Sequence, residues 1–491
     1  MSADLLPAVR RRRSRWLLLV LLAFAAVLAF AFQGGRGLWG PDEGRYANTA
    51  LQMLDSGDFL VPRRSAEHPQ FSKPPLTYWA IAASVTVFGR NEWALRLPSA
   101  LAFCLTVAFV LSLSRRLTPH QTWHAPVVYA TTLAPFVAVN LFVTDVLAAM
   151  FLALAGFGFV RVWHAADARE AWRGRLLLAL GFGCAFLTRG VLTLLPLLPM
   201  FVFARSTGLL RFKWICPWSV LIFLLLSLPW YVQIAAVEPE LFLPAIQQAL
   251  LGDTGQGGWD EILGGYLPLL ALGGLPWTFV LFLKSRDLRM EWHKLGIARY
   301  RAVHQERYFL WLWLLLPVLA LLVLHPGDPL FLFPCFVPFA LLVARELQRR
   351  DFNGWAQIGL ALWVLALLTV KGVAANMSHP KDARVLAEVV TRSLTFIPRQ
   401  VVFFEEPALY GVRYYLGAPV ARVSAAESDD PRVDAVFKDF VRDGVAEQVW
   451  ITLLAREQVL LDIAHQNGLS AKRRAVFGRY AVFELSPSSR N

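Results

Sequence analysis

The sequence predicts a polytopic α-helical membrane protein of about 11–13 transmembrane helices with a C-terminal extracytoplasmic α/β domain. Three observations carry that prediction. The 491-residue chain is 56% hydrophobic and only 17% charged, a composition foreign to a soluble domain of this length. Its apolar residues gather into long runs separated by short polar loops. From about residue 373 the composition changes to that of an ordinary soluble domain.

The apolar runs fall at roughly 16–32, 95–113, 125–142, 144–161, 174–188, 190–204, 216–234, 265–283, 308–324, 329–344 and 355–372, each near the length that spans a hydrocarbon core. Basic residues concentrate in alternate loops, at Arg10 to Arg15, Arg115 and Arg116, Arg161 to Arg175, Arg205 to Lys213, Lys284 to Arg307 and Arg345 to Arg350. The positive-inside rule then places the N-terminus in the cytoplasm, and an odd number of spans places the C-terminus outside. The net charge of +13 is accounted for by these loops and calls for no nucleic acid. The first run resembles a signal peptide, ending in "LAFAF", but it is longer than a usual h-region and is expected to stay as a span.

Residues 33–92 form a hydrophilic loop on the outer side. Tyr46, Ala50, Met53 and Leu54 recur at helical spacing there and predict an amphipathic helix at the membrane interface. In the last third, "DARVLAEVVTRSL", "PALYGVRYYLG" and "REQVLLDIAHQNG" read as helices, "RQVVFFEE" and "QVWITLLA" as strands, and "AVFGRYAVFELS" as a closing hairpin. The expected organisation is therefore a membrane domain over 1–372, including the outer loop 33–92, and a soluble domain over 373–491. Cys104, Cys184, Cys216 and Cys335 lie in or beside apolar runs without CxxC spacing, and read as core residues.

Residues with chemical capacity on the outer side form three clusters: Asp42-Glu43-Gly44-Arg45-Tyr46, then "FSKPPLTYW" with Lys73, then Asp145 in "NLFVTDVLAAM". A carboxylate between two apolar runs, as at Asp145, is costly unless it is paired or serves a site. A helix N-cap is the plain alternative for both Asp145 and Asp42. Lys73 and Arg189, the latter in "LTRGV", either snorkel to lipid headgroups or meet a specific anion.

The segment "WGPDEGRYANTALQMLDSGDFLVP" followed by "FSKPPLTYWAIAASVTVFG" resembles the first outer loop of the lipid A aminoarabinose transferases. These are integral-membrane glycosyltransferases of the C superfamily (GT-C), related to the protein O-mannosyltransferases. Asp42, Glu43, Arg45, Tyr46, Ala47, Ser56-Gly57-Asp58, Lys73 and Pro74 match the family pattern, and looser likeness continues through "VTDVLAAMF", "FLTRGVLTLLPLLP", "SLPWYVQ", "GGLPWTFVL" and "FPCFVPFALLVA". The resemblance implies a GT-C-like fold in the bacterial inner membrane, with the C-terminal domain periplasmic. It implies transfer of a sugar from a polyprenyl (undecaprenyl) phosphate donor to lipid A or another extracytoplasmic acceptor, including a protein or glycan. Asp42, Glu43 and Asp145 would be the catalytic carboxylates, with Asp42 and Asp145 as ligands if a divalent metal cation takes part. Arg45, Tyr46, Lys73, Arg189 and His325 would bind substrate, Lys73 and Arg189 holding the donor phosphate.

The chain departs from the family in three places. Ser72 stands where relatives carry Glu before Lys-Pro. The loop "IQQALLGDTGQGGWDEILGG" lacks the usual His and Arg-Phe pair, and its glycine-rich part, 252–265, reads as a mobile lid. A Lys-x-Lys-x-Pro-x-Tyr motif is replaced by "HPGDPLF", which puts His325, Asp328 and Phe331 there. Cations are lost in this exchange, which points to a different donor sugar or acceptor, with loss of activity as the alternative. Two other classes fit the spans: a lipid-linked sugar transporter or flippase, which would show repeated halves, and a non-catalytic scaffold using its outer domain to hold a partner.

Overall fold

A computed structural model describes residues 5–65, 69–71, 73–141, 144–208, 214–240, 242–243, 259–324, 328–347, 354–377, 379, 381–427 and 433–488. His325, Ser72 and the stretch 252–258 lie outside the described residues. The chain divides into two compact units. One comprises Met1–Gln33, Phe71–Thr77 and Arg96–Gly372; the other comprises Gly34–Gln70, Tyr78–Leu95 and Val373–Asn491.

The first unit is helical. It contains α1 (Leu5–Phe30), most of α4 (Glu92–Leu117), α5 (His124–Thr131), α6 (Leu133–Asn140), α7 (Thr144–Trp163), α8 (Ala168–Arg189), α9 (Leu197–Thr207), α10 (Pro217–Val237), α11 (Trp259–Gly273), α12 (Trp277–Val303), α13 (Gln305–Leu324), a 3-10 turn at Pro329–Cys335, α14 (Phe336–Glu346) and α15 (Gly354–Asn376). Among the described residues six helical segments are long and apolar enough to cross a membrane, or seven if the bent pair Gly264–Gly273 and Trp277–Lys284 is one span. That is fewer than the eleven runs read from the sequence, because several runs fold as broken or shorter helices.

The run 125–142 is the clearest correction. It divides into α5 and α6 at Thr132, whose backbone is extended. Pro135 lacks the N–H that would bond the carbonyl of Thr131. That carbonyl instead accepts from the Trp363 indole at 2.8 Å. The run 265–283 also breaks, with a bend of 92°. The two breaks satisfy each other: the Leu133 N–H donates to Leu275 O at 3.0 Å, and Trp277 Nε1 donates to the Thr131 hydroxyl at 3.0 Å. Non-helical backbone within an apolar environment survives only when its polar groups find such partners. Residues 259–265, read from sequence as part of a loop, begin α11.

α7 and α8 form an antiparallel hairpin that sets the level of the site. Small residues line its seam: a β-carbon at Gly158 would stand 2.6 Å from Gly174 O, and one at Gly181 would stand 2.6 Å from the Ala155 nitrogen. Backbones this close demand glycine. Phe159 and Phe203 pack with Phe309, whose ring centre lies 5.4 Å from Trp313.

The second unit is built on a six-stranded sheet. Its strands are β1 (Gln400–Phe404), β2 (Val420–Ser424), β3 (Ala435–Val436), β4 (Gln448–Leu453), β5 (Leu469–Phe477) and β6 (Tyr480–Pro487), in the order β3-β2-β1-β4-β6-β5. β1 to β4 pair in parallel, while β6 joins β4 antiparallel and β5 closes the expected hairpin. Fully buried Val402, Phe404, Val423, Trp450 and Phe483 form its core. Helices at Ala383–Ser393 (α16), Gly411–Leu416 (α17) and Glu457–Gln466 (α19), with a short turn of helix at Phe437–Phe440 (α18), complete it. β3, of two residues, is too short to announce itself in the sequence, and β2 is an element the sequence reading did not name.

The amphipathic helix of the outer loop is α2 (Gly40–Ser56), ended by Gly57 in the left-handed conformation. It does not lie free at an interface. A β-carbon at Gly44 would fall 2.2 Å from the Gly411 nitrogen, so α2 and α17 meet backbone to backbone. Asn48 accepts from Arg413 at 3.0 Å, and Trp39 Nε1 donates to Asp382 at 2.9 Å. The grouping of residues 33–92 with the membrane domain is therefore corrected: Gly34–Gln70 and α3 (Leu76–Phe88) up to Leu95 go largely with the C-terminal sheet.

Candidate active site

In the first unit four charged side chains come together. α7 has 20 residues, α8 has 22, and a short turn links them, so the first residues of one and the last of the other lie at the same level. That geometry brings Asp145, in the first turn of α7, to Arg189, the last residue of α8. Each charge also suits the local helix dipole. The pair is almost wholly enclosed, with side-chain exposures of 4% and 2%, and the Arg189 guanidinium contacts the carboxylates of both Asp145 and Asp328.

Asp328 precedes the 3-10 turn and caps it, accepting from the Leu330 N–H at 3.0 Å. Its other oxygen lies 3.5 Å from the Lys73 ammonium. Phe331 offers its ring to both cations, 3.9 Å from the Arg189 guanidinium carbon and 5.4 Å from Lys73 Nζ. Burial pushes the Asp328 carboxyl up, but Arg189, Lys73 and the Leu330 N–H outweigh it and hold it below the usual carboxylate range. Tyr266 donates to the Asp328 carbonyl at 3.4 Å. Beside this cluster a largely apolar pocket is lined by Leu152, Trp313, Pro317, Leu321 and Phe331, with Asp145 and Arg189 at its wall.

In the second unit the first-loop carboxylates part ways. Glu43 is buried and takes two hydrogen bonds from Arg36, at 2.7 and 2.6 Å, and a third from the Trp39 N–H at 2.8 Å. Asp42 is 71% exposed and bonds Arg45 at 2.7 Å. Desolvation works against the Arg45 charge, but Tyr46 and Asp42 outweigh it. Its guanidinium lies 5.4 Å from the Tyr46 ring centre, and Tyr46 stands 6.0 Å from Tyr78. Neither Asp42 nor Asp145 is an N-cap: Trp39 precedes α2, and both carboxylates sit inside their helices and pair with arginines. Arg45 and Tyr46 are thus gathered with Asp42, and Lys73 and Arg189 with Asp145. His325 is outside the described residues.

Asp328 is the site residue that the reading of the sequence named only as a departure. Its position directly before a proline-started turn was the available signal, since Asp there caps. The metal expected at Asp42 and Asp145 finds no support. Asp145 gives its carboxylate to a guanidinium, and among the described residues no three His, Cys, Asp or Glu side chains gather as a ligand set. Asp145, paired with Arg189, does not fit the role of a metal ligand.

The family model of the dolichyl-phosphate-mannose-protein mannosyltransferases matches residues 72–232. An undecaprenyl phosphate-alpha-4-amino-4-deoxy-L-arabinose arabinosyl transferase of Pseudomonas paraeruginosa is 34% identical over 384 residues, covering 73% of this chain and 65% of that protein. The match thus spans about 65% of the relative's length. The crystal structure of ArnT from Cupriavidus metallidurans bound to undecaprenyl phosphate superposes with a TM-score of 0.74 at 19% identity, covering 95% of this chain and 97% of that one. The apo oligosaccharyltransferase of Archaeoglobus fulgidus superposes at 0.56 with 12% identity, over 91% of this chain and 71% of that one. At such identities these two establish the fold. The chain is thus similar in sequence to these arabinosyl transferases and, over residues 72–232, to the protein mannosyltransferases, and it shares the fold of the ArnT crystal structure.

Proposed function

We propose that the protein transfers a sugar from undecaprenyl phosphate to a lipid acceptor such as lipid A, on the periplasmic face of the inner membrane, with its N-terminus cytoplasmic and its C-terminal sheet domain outside. The observation that carries this reading is the convergence of Lys73 and Arg189 beside an apolar pocket in the helical unit. Two cations there suit a lipid phosphate, and the apolar wall suits the first isoprene units of its chain. The names of the curated relatives, which specify an undecaprenyl-phosphate-linked donor, support the same substrate class.

In the reaction the acceptor oxygen bonds to the anomeric carbon. The bond from that carbon to the donor phosphate breaks, its electron pair staying on the phosphate oxygen. Lys73 and Arg189 offset the charge that develops on this leaving group. A hydroxyl acceptor needs a base, and Asp42 is the first-loop carboxylate left exposed for it; a phosphate acceptor is already ionised, and Asp42 then positions it. Glu43 supports the loop by holding Arg36 and Trp39 rather than by reacting.

The test is transfer of radiolabelled sugar from undecaprenyl phosphate to lipid A by the full chain in nanodiscs. Lys73→Ala is expected to weaken donor binding by about 1–3 kcal/mol, the value of a lost charge-assisted bond. Unchanged donor affinity in that variant would place the phosphate elsewhere. Transfer to a peptide or glycan in place of lipid A would keep the enzyme class and change the acceptor.

A further inference from the structure

Asp145 and Asp328 both contact Arg189, yet they are held differently. Asp145 is enclosed on α7, whereas Asp328 is 38% exposed and sits on a short turn. One oxygen of Asp328 caps Leu330, and the other meets Lys73 and Arg189 together. That second oxygen occupies the point at which a phosphate oxygen would be held by both cations. Among the described residues two cations face two carboxylates, so the charges of these four groups balance before any ligand arrives.

A polyprenyl phosphate sugar is a phosphodiester with one negative charge. The polyprenyl phosphate released on transfer is a monoester with a charge near −1.5 to −2 at neutral pH. We propose that Asp328 is a specificity-determining residue, a built-in anion that lets the cation pair accept a singly charged phosphodiester and disfavours the doubly charged monoester left after transfer. This rests on the donor class proposed above. When the diester arrives, its phosphate displaces the Asp328 carboxylate from Lys73 and Arg189. When the bond to the anomeric carbon breaks, the phosphate gains a charge while Asp328 remains nearby, and repulsion favours return of the carboxylate to the cations and release of the lipid.

The experiment compares the binding of undecaprenyl phosphate and of undecaprenyl methyl phosphate to the full chain in nanodiscs, in the wild type and in Asp328→Asn. Asn keeps an oxygen for the Leu330 N–H, and Asp328→Ser, which also caps, serves if the first variant folds poorly. The substitution is expected to tighten the monoester about tenfold or more and the diester about threefold at most, and to make turnover more sensitive to added undecaprenyl phosphate. A role limited to structure would weaken both lipids together. If the wild type binds and turns over the diester donor but the ratio of the two affinities does not move, the role of Asp328 falls and the transfer reading stands. If neither lipid binds to wild type or variant, both fall.

Discussion

Asp145 and Asp42 each meet an arginine, one inside the helical unit and one on the outer-loop helix of the other unit. Asp145 and Arg189 keep 4% and 2% of their side-chain surface, and their charges are spent on each other and on Asp328. Asp42 keeps 71% and Arg45 keeps 24%, so water still reaches the carboxylate and its remaining lone pairs are free. An enclosed pair is a condition of folding, since taking two charges from water costs several kcal/mol per ion unless geometry repays it. An exposed pair contributes about 0–1 kcal/mol to stability. The enclosed pair is thus needed for stability as well as proposed for the donor phosphate, whereas the exposed pair is open to an acceptor and contributes little to the fold.

The strongest way to break that contrast is Asp42→Asn. It removes the charge but keeps the shape, so transfer to a hydroxyl acceptor should fall by about 10²–10⁴, the usual contribution of a general base. The melting temperature should stay within the small range of a surface change. Wild-type turnover would remove Asp42 from the reaction. Arg189→Ala comes next and should lower stability as well as donor binding. It leaves Asp145 enclosed without a cation, and the expected loss is about 3–5 kcal/mol of stability, read as a lower melting temperature in detergent. The double variant Asp145→Leu with Arg189→Met should recover most of that loss while remaining deficient in donor binding. A single variant as stable as wild type would show that Arg189 is not the counter-charge it is drawn as.

Glu43 sharpens the comparison within a single helix. It adjoins Asp42 in sequence yet is buried on Arg36 and the Trp39 N–H. Glu43→Ala should cost about 1–3 kcal/mol of stability by leaving Arg36 unsatisfied, with turnover per folded molecule nearly unchanged. A large drop in turnover at wild-type stability would return Glu43 to the reaction.

These pairings also show what the sequence can and cannot convey. Apolar runs mark helices because hydrophobic length is a one-dimensional property, and the strands around Val402 and Trp450 were legible for the same reason. The break at Thr132 was not, since it depends on Trp363, Leu275 and Trp277, which are far away in sequence. In the site, Lys73, Asp145 and Arg189 were each legible as charges in costly places. The meeting of Asp145 with Arg189 was recoverable from the matched lengths of α7 and α8, but the place of Lys73 and the part played by Asp328 required the turn at Pro329 to be folded. The docking of α2 on α17 was hidden because Gly44 and Gly411 carry no side chain to advertise a contact.

The smallest expected effect concerns Asp328, which stands between the two extremes with 38% of its side chain exposed. Its carboxyl lies below the usual carboxylate range, because Arg189 and Lys73 outweigh the burial that would raise it. A group whose folded pKa is depressed contributes stability above its unfolded pKa and loses it as pH falls through the folded value. Wild type should therefore melt above Asp328→Asn at neutral pH by a margin that stays constant down to about pH 5, then shrinks as pH falls through 4 and below. Solvent screens a half-exposed carboxylate, so added salt should narrow the margin at neutral pH, as it would not for the enclosed Asp145. A margin that grew on acidification would mean that the carboxyl is raised in the folded state, and the cluster would then lack the cations that hold it down.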